Sequence, residues 1–216
     1  MIAIQNKFLI VVFRGDFNPS IFQPVWFSKN KLLSDSEVEK SQLKIVIPDI
    51  SDFSTDWFSL QVTRDRFLIK TSQESHFDAL GDLVSGTFSL LKHTPLRQLG
   101  INFDGNVKMK DKDSWNDYGH KLAPKEVWKK RLKNPGMNQL QMKCDRDDDY
   151  KGYILITIKP SIEIDCGVNF HINDHYENES KNELLDASFF TELFKKEKNK
   201  SIVRSTEIIT SLVEET

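Results

Sequence analysis

The chain has 216 residues, 38% of them hydrophobic and 29% charged, with a net charge of −2. That is room for one large domain or two small ones, and too little net charge to draw a strongly acidic or basic partner over the whole surface. No apolar run approaches the roughly 18 residues of a membrane span, and two cysteines, Cys144 and Cys166, make no disulfide framework; a cytoplasmic protein with free thiols and no membrane contact is expected.

The first element is a β-rich apolar run, Phe8 to Phe13, ended by Arg14-Gly15-Asp16. It reads as a buried strand, not a signal peptide, because only Lys7 precedes it and no small-residue cleavage site follows. Asn18-Pro19 opens a short helical or irregular segment interrupted by Pro24. Ser34 to Ser41 is a loop or short helix, and Leu43 to Ile47 a strand stopped by Pro48. Trp57 to Thr63 and Phe67 to Thr71 form a hairpin about Arg64-Asp65-Arg66. Ser75 and Asp78 have the spacing of a capping box, ahead of an amphipathic helix through Phe77, Leu80, Val84, Phe88 and Leu91. Gly81 and Gly86 suit close approach of that helix to a sheet. Pro95 closes the first half.

Leu96 to Met109 is a strand with Leu99, Ile101 and Phe103 on its buried face. Asp113 is the expected N-cap of a helix bearing Trp115, Tyr118 and Leu122. Pro124 suits the first turn of another, with Val127, Trp128 and Leu132. Gln139 to Asp145 and Tyr150 to Ser161 form a second hairpin, with Asp147-Asp148-Asp149 at its turn. Cys166 to Asn173 is a last strand, followed by a polar connector from His175 to Asn182. Leu184, Leu185, Phe189, Leu193 and Phe194 mark one helix, and Ile202, Ile209 and Val213 a second.

This order is β-α-β-β-β-α, twice. A sequence echo supports the repeat: Leu60-Gln61-Val62-Thr63-Arg64-Asp65 returns as Leu140-Gln141-Met142-Lys143-Cys144-Asp145. The expected fold is therefore α+β, with two similar halves over 1–95 and 96–200 forming an internal pseudo-dimer, plus a C-terminal helix over 201–216. A cleft between such halves is a natural binding place. The terminal helix has no counterpart in the first half, so it is the expected contact for a protein partner or for self-association.

Few residues carry recognisable chemistry. His171-Ile-Asn-Asp174-His175 is the one histidine cluster, but on a strand the two imidazoles stand roughly 13 Å apart, and no metal-site spacing is present. The acidic run lacks the glycine and distal glutamate of a calcium loop. No phosphate loop and no nucleophile elbow appear. No catalytic residue, metal or cofactor is assigned. Lys121, Lys125, Lys129, Lys130, Arg131 and Lys133 stand against one acid, Glu126. Such a segment can track phosphates while Trp128 stacks on a base, or it can be a solvated face with Trp128 in the core. On the last strand Asn169, His171 and Asn173 alternate with Val168, Phe170 and Ile172. Gly100-Ile-Asn102-Phe103 matches Gly167-Val-Asn169-Phe170, so if these strands pair, asparagines from both face one groove. The candidate binding residues are Asn102, Asn169, His171, Asn173 and His175.

Gly100-Ile-Asn-Phe103, Leu122-Ala-Pro-Lys-Glu-Val-Trp128, Pro135-Gly-Met137, Tyr150-Lys-Gly-Tyr153 and His171-Ile-Asn-Asp-His175 come in an order that resembles a sporadically distributed, uncharacterised bacterial family. The resemblance spans about Phe8 to Tyr176. It implies an association with mobile or antiviral-defence gene clusters and no residue roles. The duplicated order is also similar to the paired βαβββ modules of vicinal oxygen chelate enzymes, whose metal ligands lie on first and last strands. Here the first strand has none, and His171 has no glutamate beside it. The leading expectation is a non-enzymatic interaction protein, an accessory subunit of a bacterial system. The alternatives are nucleic-acid binding through 121–133, and an enzyme with its site near His171 and His175.

Overall fold

The computed structural model describes residues 2–178 and 185–215. The fold is α+β: ten antiparallel strands make one sheet, ordered β2-β3-β4-β5-β1-β6-β9-β8-β7, with the short β10 on β6. The apolar run at the start is β1, Ile4–Gly15, and its alternation puts Leu9, Val11 and Phe13 in the core. β1 ends up in mid-sheet, between β5 (Arg66–Thr71) and β6 (Pro95–Lys108). The first hairpin is β4 (Ser59–Thr63) with β5, and the second is β7 (Leu140–Asp145) with β8 (Gly152–Pro160).

Several elements depart from the sequence reading. β2 (Gln42–Ile47) is followed by an unexpected strand, β3 (Ile50–Ser54), in which Ser51 and Phe53 alone turn inward. β9 (Gly167–Glu177) continues past Asn173 through His175. Cys166, expected on that strand, precedes it in the left-handed region at φ 52°. The echoing hexapeptides fall on β4 and β7, which are the third and fourth strands outward from the β1–β6 centre on their respective sides.

The helices show similar adjustments. Pro24 begins α1 (Pro24–Lys29) instead of interrupting it. The capping box belongs to α2 (Asp35–Glu39), where Ser34 and Glu37 satisfy each other's backbone N–H. The α3 helix (Phe77–Leu90) starts at His76 without a side-chain cap, and Asp78 instead binds Lys198 at 2.7 Å. Gly81 makes room for that lysine and not for the sheet: a Cβ there would lie 2.9 Å from Lys198 Nζ. Asp111, not Asp113, caps α4 (Lys112–Leu122). The helix expected after Pro124 is the single turn α5, Glu126–Lys129.

The two expected C-terminal helices are one, α6, Ala187–Glu214. Leu185 lies on β10 (Leu185–Asp186), and Leu184 lies outside the described residues. Ser201, Ser205 and Ile209 of its distal half are buried, and Ile202, Ile208, Leu212 and Val213 pack against the core. Residues 201–214 are thus continuous with 187–200, and their apolar stripe is covered by the chain's own body.

α1, α3, α4 and α6 pack on one face of the sheet. Phe27 of α1 meets Phe53, Phe88 of α3 and Phe194 of α6 both meet Phe13, and Tyr118 of α4 meets Phe170. The aromatic residues therefore form a core between sheet and helices. Among the described residues, no helix is long and apolar enough to cross a membrane.

Candidate functional site

The opposite face of the sheet carries the polar residues picked out from sequence. Strand register sets them in rows, because residues directly opposite share a face. Asn169 faces Asn106, His171 faces Asp104, Asn173 faces Asn102, and His175 faces Gly100. On the other side of β9, Thr157, Leu155 and Tyr153 of β8 meet His171, Asn173 and His175. On the other side of β6, Ile10 and Val12 of β1 stand opposite Asn102 and Gly100. The strands bearing Gly100-Ile-Asn-Phe103 and Gly167-Val-Asn-Phe170 do pair, but Asn102 meets Asn173, and Asn169 meets Asn106.

None of α1, α3, α4 and α6 lies over this face, yet Asn102, Asn106 and His175 are only 6%, 2% and 9% exposed. Asn106 is covered by the loop after β8: it accepts from Ser161 Oγ at 2.8 Å and donates to Glu163 at 3.4 Å. His171 Nδ1 is hydrogen-bonded to the Asp104 carboxylate. His175 Nε2 lies 3.4 Å from Glu177 Oε1. Each imidazole thus has its own carboxylate, and they point along separate rows. The carboxylate beside His171 comes from β6, distant in sequence and visible only once the register is known. Among the described residues, no three His, Cys, Asp or Glu side chains come together to hold a metal ion.

Next to Asn102 and Asn173 the face opens into a groove of about 260 Å³, lined by Val12, Arg14, Gln98, Gly100, Tyr153 and His175 as well. Tyr153 stacks on His175 with ring centroids 4.4 Å apart and an interplanar angle of 28°. Lys143 lies over the Tyr153 ring at 3.9 Å. Burial holds the His175 imidazole below its ordinary value, Glu177 opposes that, and Lys143 and Arg146 reinforce it. Arg14 is paired with Asp65 at 2.5 Å.

A second polar cluster lies on the helix face. Asp174 of β9, buried to 1% exposure, accepts from Arg146 of the β7–β8 turn and from Arg204 of α6. Arg146 also binds Asp148 and lies over the Tyr176 ring at 3.8 Å. Burial works against the Arg146 charge, but Asp148 and Asp174 hold its value above that of a free guanidinium. The acidic turn between β7 and β8 is therefore anchored through Arg146 and Asp148.

The basic segment departs from the reading that puts Trp128 in the core. Val127, Trp128 and Leu132 are 76%, 56% and 52% exposed, so Trp128 is not in the core. Lys121, Lys129, Lys130, Arg131 and Lys133 are exposed around them. Lys125 is half-buried, with Nζ 3.4 Å from His120 Nε2.

Compared with known proteins, the chain matches no family model and no curated protein.

Proposed function

We propose that this chain is a non-enzymatic cytoplasmic interaction protein, an accessory subunit of a bacterial system of the antiviral-defence kind its sequence resembles, and that it holds its partner on the helix-free face of the sheet. The observation that carries this reading is that face: a polar array on β6 and β9, flanked by β1 and β8, ordered by register and clear of the four packing helices. Its two cysteines are free thiols, in keeping with a reducing compartment. In this reading the chain is two similar α+β units joined through β1 and β6, the first extended by the edge strand β2 and the second by the full length of α6. The order β2-β3-β4-β5-β1, all from the first unit, followed by β6-β9-β8-β7, all from the second, supports that division. The partner contact is assigned to the sheet and not to the C-terminal helix, because the apolar stripe of α6 is already used.

Co-expression with the products of neighbouring genes tests this. Asn102→Arg and Leu155→Glu, on the polar face, should abolish capture of a partner that Val203→Glu, on the outside of α6, leaves intact. Capture lost only in the α6 variant would overturn the assignment. Size-exclusion chromatography with light scattering on the chain alone tests self-association.

One observation favours a second reading. The exposed Trp128 amid five exposed cations is the arrangement that binds single-stranded nucleic acid through stacking and phosphate contacts. Fluorescence anisotropy with a labelled oligonucleotide at low and high salt tests it. Binding should weaken with salt and fall in Trp128→Ala; binding indifferent to both removes this reading.

A further inference from the structure

The helices leave part of their own face of the sheet open. Cys144 of β7 stands opposite Ile154 of β8, and Ile154 stands opposite Asp174 of β9. The Asp174 carboxylate meets Arg204 of α6, so this row points to the helix side. Met142, two residues before Cys144, shares that face. β7 is the edge strand, and both side chains are exposed. Between this strand and the outer flank of α6 runs a groove of about 750 Å³, with Cys144, Ile154, Val203 and Ile208 as its apolar lining. Lys200 and Arg204 also line it, but their charges are answered, by Glu197 and by Asp174 with Asp148. Asp145, Asp147 and Glu207 line it too. Among the described residues none of these three forms an ion pair. Such a groove suits an apolar knob surrounded by positive charge.

The same chain carries that knob. Val127, Trp128 and Leu132, on α5 and just after it, stand exposed. Lys130, Arg131 and Lys133 are exposed beside them. Among the described residues these three cations form no ion pair; the pair with Glu126 is made by Lys129. The segment 121–133 gathers six cations and one acid in a chain of net charge −2, so the rest of the chain is acidic in balance. Within one copy, knob and groove are apart. Lys125, at the start of α5, lies by Lys159 and Pro160, and Lys159 is roughly 17 Å along β8 from Ile154. The α5 segment therefore leaves its own groove open.

We propose that the groove between α6 and β7 receives the α5 segment of a second copy of this chain. Trp128 is the anchor against the apolar lining, and Lys130, Arg131 and Lys133 face Asp145, Asp147 and Glu207. Exchange in both directions closes a dimer, and exchange in one direction builds a ring or an open chain. The inference does not rest on the partner reading, which uses the opposite face of the sheet. Self-association is measured on the chain alone and partner capture with a partner present, so either can fail alone. An oligonucleotide would use Trp128 but not the groove, so substitutions in the groove separate self-association from nucleic-acid binding.

The test is sedimentation velocity and light scattering on the full chain, nuclease-treated and in reducing buffer so that Cys144 forms no cross-link. Concentrations of roughly 10–500 μM cover the range in which a small contact saturates. The wild type should pass from monomer to dimer or larger species, and raised salt should weaken the association. Trp128→Ala should weaken it about tenfold or more, as loss of a tryptophan anchor does. The double variants Lys130→Glu/Arg131→Glu and Asp147→Lys/Glu207→Lys should each abolish it. All four positions are exposed, so the variants should fold, and their thermal melts check this. The chain carrying all four substitutions should associate again, because both faces have then exchanged sign. The proposal is overturned if the wild type stays monomeric throughout that range at low salt, or associates only when nucleic acid is present. It is equally overturned if either double variant associates like the wild type, or if the fourfold variant stays monomeric.

Discussion

Arg204, on the distal half of α6, donates to the buried carboxylate of Asp174 on β9. The pair fixes the C-terminal helix to the second half of the sheet at a point where Asp174 has already been reached by Arg146. Removing Asp174 takes the shared carboxylate from two guanidinium groups and leaves them Asp148 alone as an ion partner, whereas removing Arg204 leaves the aspartate its pair with Arg146. Asp174→Asn should therefore destabilise by roughly 3–5 kcal/mol, and Arg204→Ala by less. Urea unfolding of both single variants and the double variant measures this, and the double variant should cost less than the sum.

Deleting 201–216 should now unfold or precipitate the chain, the opposite of what a free terminal helix would do. The milder probe is Ile209→Ala, which opens a cavity at a fully buried site and should cost about 2–5 kcal/mol. A thermal melt unchanged by Ile209→Ala would show that the distal helix is not core.

Much of this layout could be read in advance, because period-two and period-3.6 patterns report which face is buried. The alternation of Leu99, Ile101 and Phe103, and of Val168, Phe170 and Ile172, located two central strands and their polar faces. What failed was local chemistry with several equivalent solutions. Ser34-x-x-Glu37 and Ser75-x-x-Asp78 are both capping patterns, and only the first is used. Val127, Trp128 and Leu132 have helical spacing but no surface to cover, so one turn forms. β3 was hidden because Ile50-Ser-Asp-Phe-Ser54 buries only two side chains, one of them a serine bonded to the Phe22 carbonyl. The Asp104–His171 and Asn102–Asn173 pairs needed the register of β6 on β9, which no local pattern encodes.

The pH response should carry the mark of His175. Its folded value is depressed by burial, so the unfolded chain takes up a proton first as pH falls. The stability it contributes is complete above about pH 6.5, the value in the unfolded chain. It is lost as pH drops toward and through the folded value. Urea midpoints measured across that window should fall more steeply for the wild type than for His175→Gln.

Asn106 and Asn173 should respond oppositely to truncation. Asn106 bonds Ser161 and Glu163 and holds the loop after β8, so Asn106→Ala should cost about 1–2 kcal/mol. Asn173→Ala removes an unsatisfied oxygen and should be neutral or stabilising. Chemical denaturation of the two variants side by side decides it.

The position of β1 bears on synthesis. Of the ten described strands it leaves the ribosome first, and it belongs in mid-sheet between β5 and β6. By the time α3 has emerged, the nascent chain can close β2-β3-β4-β5-β1 as a meander with its own helix cover. The free edge of that intermediate is β1, whose stretch from Phe8 to Phe13 is apolar throughout and carries no lysine or proline. Translation of β6 is thus the step that shields it. Slowing the ribosome between α3 and β6 should raise aggregation of nascent chains, while slowing it after β6 should not.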